Sequence, residues 1–230
     1  MLDRLFTLFS VADWSALALF LAGWIGYSHF ADRAARSERG LRGATARLRD
    51  DWGREMVMRE NRIADAALTG NLMTSVSFYA NTTIYIIAGL IAVAGTLDQL
   101  IRFTEELPFG RQQTKALLEA KLFLMIAIFI FAYFKFTWAL RQYNFLSILI
   151  GSAPARDVAT GLLDAHARRF ADLSTLSGDE FNRGIRAYYF GFAALAWFVS
   201  PGVFIGFTLL ILGVLYRRDF RSPTLDVLAR

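Results

Sequence analysis

Residues 122 to 134, LFLMIAIFIFAYF, contain no charged or amide side chain, and the run drives straight into Lys135 and a dense polar signature, FKFTWALRQYN. A helix satisfies its backbone polar groups internally, so such a run suits a bilayer interior. Continued through Ile150, it is long enough to cross a hydrocarbon core of about 30 Å. Three further apolar blocks occur, at 11–30, 72–97 and 187–216. The expectation is an all-α protein, a four-helix transmembrane bundle with helical cytoplasmic extensions at 31–70 and 151–186. The whole of 1–230 reads as a single integral membrane domain.

Two of these blocks need comment. The first is read as a span and not as a cleaved signal peptide, because its n-region is short, Asp13 interrupts it, and no A-x-A site follows Tyr27. The fourth covers 30 residues, longer than a span needs, and Pro201-Gly202 offers a kink within it.

Composition agrees with the class and removes several chemistries. The 230 residues are 55% hydrophobic with a mean hydropathy of +0.38, too apolar for an ordinary soluble domain. No cysteine is present, which excludes disulfides, thiolate metal sites and cysteine nucleophiles. With only two histidines, His29 and His166, a histidine-rich metal site has too few ligands, and Asp164-x-His166 reads as an exposed helix pair. There is no H-E-x-x-H, G-x-S-x-G, P-loop or G-x-G-x-x-G. No metal, cofactor or nucleic-acid partner is expected. A membrane enzyme ranks third among the functions considered, with Asp65 and His166 the first residues to check.

Charge sets the expected orientation. The 31–65 and 141–186 segments share 15 of the 25 Arg and Lys residues, against nine in the termini and the remaining loop. The positive-inside rule puts the richer pair in the cytoplasm and, with four spans, both termini outside. Arg217-Arg218, directly after the last block, opposes this assignment. Within the loops, Leu41, Leu48, Trp52, Met56 and Ile63 recur at near-helical spacing, predicting an amphipathic helix that continues into the second span and could lie on anionic headgroups. Pro154 is expected to start a helix through Ala171, and Ser177 to Glu180 reads as a capping box opening a helix that runs into the fourth span.

Polar residues in the apolar blocks are the candidate functional groups. Lys135 either snorkels to the inner interface or faces the bundle interior, holding an anion or a lipid phosphate. The last three blocks hold no acid, so a buried acid partner would have to come from an interfacial residue such as Asp32 or Asp65, which favours a hydrogen-bonded or anion-bound lysine over a buried salt bridge. On the second block Asn71, Thr74, Ser75, Asn81, Thr82, Tyr85 and Gly89 share one helical face. Such a face seeks protein or water, either as interhelical glue or as a cavity lining. Together Asn71, Ser75, Asn81, Thr82, Lys135, Trp138, Arg141, Gln142, Asn144, Arg186 and Tyr188 predict one polar pocket in the cytoplasmic half. Gly202-x-x-x-Gly206 permits close helix packing. Tryptophans and tyrosines near the block ends read as interfacial anchors.

Several segments carry a family resemblance: Arg59 to Asp65, Asn71-Leu-Met with Ser75 to Thr83, Phe134-Lys-Phe-Thr-Trp138 with Leu140 to Asn144, and Arg183-Gly-x-Arg186-Ala-Tyr-Tyr-Phe. With Ala196-Trp-Phe and Pro201, they resemble the bacterial and plant membrane proteins of domain-of-unknown-function family 599, over roughly 12–216. The resemblance implies a multi-span protein, here of the bacterial inner membrane, and brings no reaction or site. The leading expectation is a non-enzymatic, self-associating channel or transporter-like protein whose inner-leaflet pocket binds a small anion or an anionic lipid headgroup. The alternative is an accessory or scaffold subunit of a larger membrane complex.

Overall fold

The computed structural model describes residues 9–37, 39–97, 99 and 114–228. Arg4, Arg102, Arg111 and Arg230, used in the charge comparison, lie outside the described residues. Among the described residues the chain is all-α. The helices are α1 (Val11–Arg36), α2 (Gly40–Met58), α3 (Ile63–Gly95), α4 (Lys115–Gly151), α5 (Thr160–Leu195), α6 (Pro201–Phe220) and α7 (Pro223–Leu228), with a 3-10 turn at Ala196–Phe198.

Two of them, α3 and α4, are long and apolar enough to cross a membrane. Only 17% and 39% of their most apolar stretches are buried. The core helix of a water-soluble protein buries its apolar residues, whereas here Phe78, Ile91, Phe123 and Phe134 all point outward.

The chain divides into two compact units whose boundaries fall inside helices. The first comprises Met1–Phe30, Thr83–Ala132 and Ile185–Tyr216. Its core is aromatic: fully buried Phe20 meets Phe190, Trp24 and Phe204 at centroid distances of 5.6, 5.9 and 5.0 Å. Trp197 stacks on Phe204 at 5.2 Å. The indole N–H of Trp197 donates to Asp13 at 2.8 Å, and its carbonyl accepts from the buried Lys121 ammonium at 2.7 Å.

The second unit comprises Ala31–Thr82, Tyr133–Gly184 and Arg217–Arg230. Here α2 packs on α5 through Gly53, where an added β-carbon would lie 2.6 Å from the Ala167 carbonyl oxygen. Beside it Trp52 packs edge-on to Phe170 at 4.9 Å. The C-terminal α7 packs on α2. Gly40, at φ 72°, sits where an added β-carbon would be 2.8 Å from the Asp219 carbonyl, so both backbone and space require glycine.

Several boundaries differ from the sequence expectation. The 187–216 block is not one kinked helix: α5 stops at Leu195, and Pro201 opens α6 at the first helical position, where its missing N–H costs nothing. Nor does Ser177 cap a helix. Its hydroxyl donates to the Leu173 carbonyl one turn back at 2.7 Å, and α5 runs unbroken through it. The segment after Pro154 is irregular until Thr160. The amphipathic α2 forms, but Arg59 to Arg62 separate it from α3, where the Asn61 side chain accepts from the Ile63 N–H at 2.9 Å.

Candidate functional site

The second unit contains a chain of alternating charges drawn from four helices. Lys135 of α4 lies 2.9 Å from Glu180 of α5. Glu180 also pairs with Arg183, one turn further on. Arg183 reaches Asp32 of α1 at 2.9 Å, Asp32 takes Arg42 of α2 at 2.6 Å, and Arg42 takes Asp179 at 2.7 Å. The six formal charges cancel. Burial works against the Arg183 charge, but Asp32 and Glu180 outweigh it and hold its guanidinium above the usual range. Burial pushes the Arg49 guanidinium down, opposed by Tyr143 and Asp179. Gly178 leaves the room that the Arg49 head group occupies.

This arrangement alters the reading of Lys135. Its partner is an acid from outside the apolar blocks, though not Asp32 or Asp65, the two given as examples, and the expected preference for a hydrogen-bonded or anion-bound lysine gives way to an ion pair. Glu180 lies outside the apolar blocks, but α5 carries it alongside Lys135, 45 positions away in sequence. Among the described residues the Glu180 oxygen facing Lys135 accepts no hydrogen bond, so the contact is an ion pair first. Two charges that neutralise one another at this distance leave little field for a free anion.

The other predicted site residues separate. Asn71, Ser75 and Asn81 are exposed on α3 and Thr82 is half-buried, so this polar face points away from the protomer's own core. The Ser75 and Thr82 hydroxyls donate to the carbonyls of Asn71 and Phe78 at 3.1 and 2.8 Å. The face buried instead carries Asp65, Thr69, Val76, Ala80 and Thr83. On α4, Gln142 is buried, whereas Trp138, Arg141 and Asn144 are exposed. The Arg141 guanidinium lies 5.9 Å from the ring centres of both Trp138 and Phe145, and among the described residues no carboxylate pairs with it. Arg186 and Tyr188 belong to the first unit; Arg186 is buried, and the Tyr188 hydroxyl lies 2.7 Å from that of Thr83. Gly202 and Gly206 are exposed on α6.

Two buried polar centres lie elsewhere: the sequence reading singled out Asp65 but not its partners, and it missed the second centre. Asp65, fully buried, accepts from the Trp52 indole at 2.7 Å and from Arg59 at 2.5 Å. The second is the Asp13, Trp197 and Lys121 cluster. A single aspartate inside the first apolar block was its one available signal. His166, expected to be exposed, is buried, with Nε2 2.9 Å from the Leu149 carbonyl.

The profile of the family described as "Protein of unknown function, DUF599" matches residues 15–224, and the chain belongs to that family. No curated protein matches the chain, and no solved structure does.

Proposed function

With no activity attached to the family, we propose that the chain is a multi-pass protein of the bacterial inner membrane that acts without catalysis, by holding an anionic lipid headgroup or a small anion at the cytoplasmic leaflet. The observation that carries this reading is Arg141. It lies 19 positions after Leu122, about 28 Å along a helix, so a span starting there reaches headgroup level near Arg141. Its guanidinium is exposed beside two aromatic rings and, among the described residues, has no acid to neutralise it. A phosphate can be gripped by such a group in a bidentate way, while the rings occupy the interfacial belt. Lys135, paired with Glu180, serves instead to tie α4 to α5.

Packing in the first unit supports an odd number of crossings. Phe204, Leu212 and Tyr216 of α6 meet Phe20, Gly23 and Phe30 of α1 in the same order, so the two helices run parallel. Parallel crossings end on the same side. Arg217, Arg218, Arg221 and Arg230 then join the arginine-rich loops, and 19 basic residues face the cytoplasm against five outside. The N-terminus lies outside and the C-terminus inside.

A second reading, an accessory subunit of a larger membrane complex, is favoured by the open face of α6 at Gly202 and Gly206, where another helix could approach closely. The lipid reading is tested by purifying Arg141→Gln and Lys135→Met from native membranes and counting bound anionic phospholipid by native mass spectrometry. Arg141→Gln loses at least half of it and Lys135→Met retains it. Unchanged lipid on Arg141→Gln overturns the proposal.

A further inference from the structure

The outward face of α3 has a regular geometry. Asn71, Thr74, Phe78, Asn81, Tyr85 and Ala88 follow one another at alternating steps of three and four residues, and all six are exposed. This is the spacing of a seam that stays on one side of a helix wrapping a partner in a left-handed supercoil. Thr74 satisfies its hydroxyl on the Gly70 carbonyl at 3.0 Å. The carboxamides of Asn71 and Asn81 have no such outlet and, among the described residues, make no hydrogen bond. Asn81 is the more demanding of the two, because it lies well inside the apolar stretch. Lipid offers a carboxamide neither donor nor acceptor.

We infer that α3 pairs with α3 of a second copy of this chain, in parallel, about a two-fold axis along the membrane normal. The inference rests on the reading that α3 crosses the bilayer. Three observations select a second copy as the occupant. A carboxamide carries one acceptor oxygen and an NH₂ donor, so it is complementary to itself. Every copy inserts with the same orientation, so a two-fold axis brings Asn81 against the partner's Asn81, and the pair can exchange two hydrogen bonds. Towards the other end of the helix, Gly89 and Gly95 have nothing within 4 Å of an added β-carbon, and with Ala88 they leave room for two backbones to come close. Phe78 and Tyr85, one heptad apart on either side of Asn81, supply aromatic packing around the polar contact.

The absence of cysteine makes the test direct, since single-cysteine variants need no background removal. Thr74→Cys, Phe78→Cys and Tyr85→Cys lie on the seam; Ile84→Cys and Ile91→Cys, a heptad apart, are exposed about a quarter-turn to one side of it. Each full-length variant is oxidised in native membranes and run on a non-reducing gel. The three seam positions form homodimers and the two controls do not. In a dilution assay by energy transfer, Asn81→Leu weakens association about 3- to 30-fold and Asn81→Gln largely preserves it. Equal cross-linking at controls and seam, adducts only with a protein of another mass, or no adduct at all overturns the pairing. Labelling separates this failure from failure of the membrane reading. If a water-soluble, membrane-impermeant maleimide reacts at all five positions in intact vesicles and in inverted ones alike, α3 does not lie in lipid; if it reacts at none and no dimer forms, only the seam is wrong.

Discussion

If Lys135 is held by Glu180, removing either charge should matter less once the other is gone. Glu180→Gln strips the counter-ion from Lys135 at 2.9 Å and one of two acids from Arg183. Breaking a fully buried pair by removing one partner costs about 3–5 kcal/mol. Here the Lys135 and Arg183 side chains are 27% and 33% exposed, and Arg183 keeps Asp32, so screening reduces the loss to about 1–2 kcal/mol. Lys135→Met keeps the length of the side chain and removes its charge, leaving Glu180 paired with Arg183. It should cost about 0.5–1 kcal/mol. The double variant should therefore fall short of the sum by about 0.5–1 kcal/mol, beyond the roughly 0.3–0.5 kcal/mol within which independent sites add. Followed by tryptophan fluorescence in detergent, Glu180→Gln lowers the melting midpoint by about 2–8 °C at about 2–4 °C per kcal/mol. Strict additivity, together with loss of a bound anion in Lys135→Met alone, would refute the ion-pair reading and return Lys135 to the role of ligand.

Two glycines give opposite signs in the same assay. Gly53→Ala drives a methyl to 2.6 Å from a backbone carbonyl, which cannot move as a side-chain tip can, and should cost about 1–3 kcal/mol. Gly70→Ala has open space and gains helix propensity, so it should raise stability by up to about 1 kcal/mol. For orientation, a fluorescent protein fused after Arg230 should light up, and a phosphatase that is active only outside the cytoplasm should stay silent there. The reverse pattern would restore a C-terminus outside.

Legibility in the sequence tracked how local each cause was. The long apolar helices were readable because their signal is carried by every residue in turn: 11–30, 72–97 and 122–150 fall within Val11–Arg36, Ile63–Gly95 and Lys115–Gly151, apart from two residues at one end. The capping signature at Ser177 failed because a serine hydroxyl can bond one turn back as readily as forward, and the packing of α5 decided between them. The polar face of α3 was identified by periodicity, but periodicity cannot say which face a helix turns towards its own chain. That was set by Thr69, Val76, Ala80 and Thr83, small enough to be covered by neighbours. The pairing of Lys135 depended on a helix 45 residues away, outside any local window.

In the proposed topology the break at 196–200 sets the parity of the crossings, and Trp197 is held there through both its carbonyl and its indole. Where α5 stops at Leu195 a 3-10 turn follows, and the Val199 and Ser200 N–H groups donate to the Ala196 carbonyl at 3.2 and 3.3 Å. Lys121 supplies a donor to the Trp197 carbonyl, while Asp13 accepts the Trp197 indole N–H, so opposite charges grip the same turn. Neither charge is at home in an apolar unit, and both are almost fully buried. Trp197→Phe keeps the backbone carbonyl and an aromatic ring but leaves Asp13, among the described residues, bonded to Ser10 alone, through the hydroxyl at 2.6 Å and the backbone N–H at 3.2 Å. Losing a hydrogen bond to a charged group should cost about 1.5–3 kcal/mol in the melting assay. Adding Asp13→Leu removes the stranded carboxylate but also takes away a nearby counter-charge from Lys121. Lys121→Met in the triple variant removes that charge as well, and buried ion pairs replaced by apolar residues of similar size are often neutral or stabilising. Stability should thus fall in Trp197→Phe and recover only in the triple variant. Recovery on removing Asp13 alone would mean that Lys121 draws on the Trp197 carbonyl but not on the acid, and the two-ended grip on the turn would be wrong.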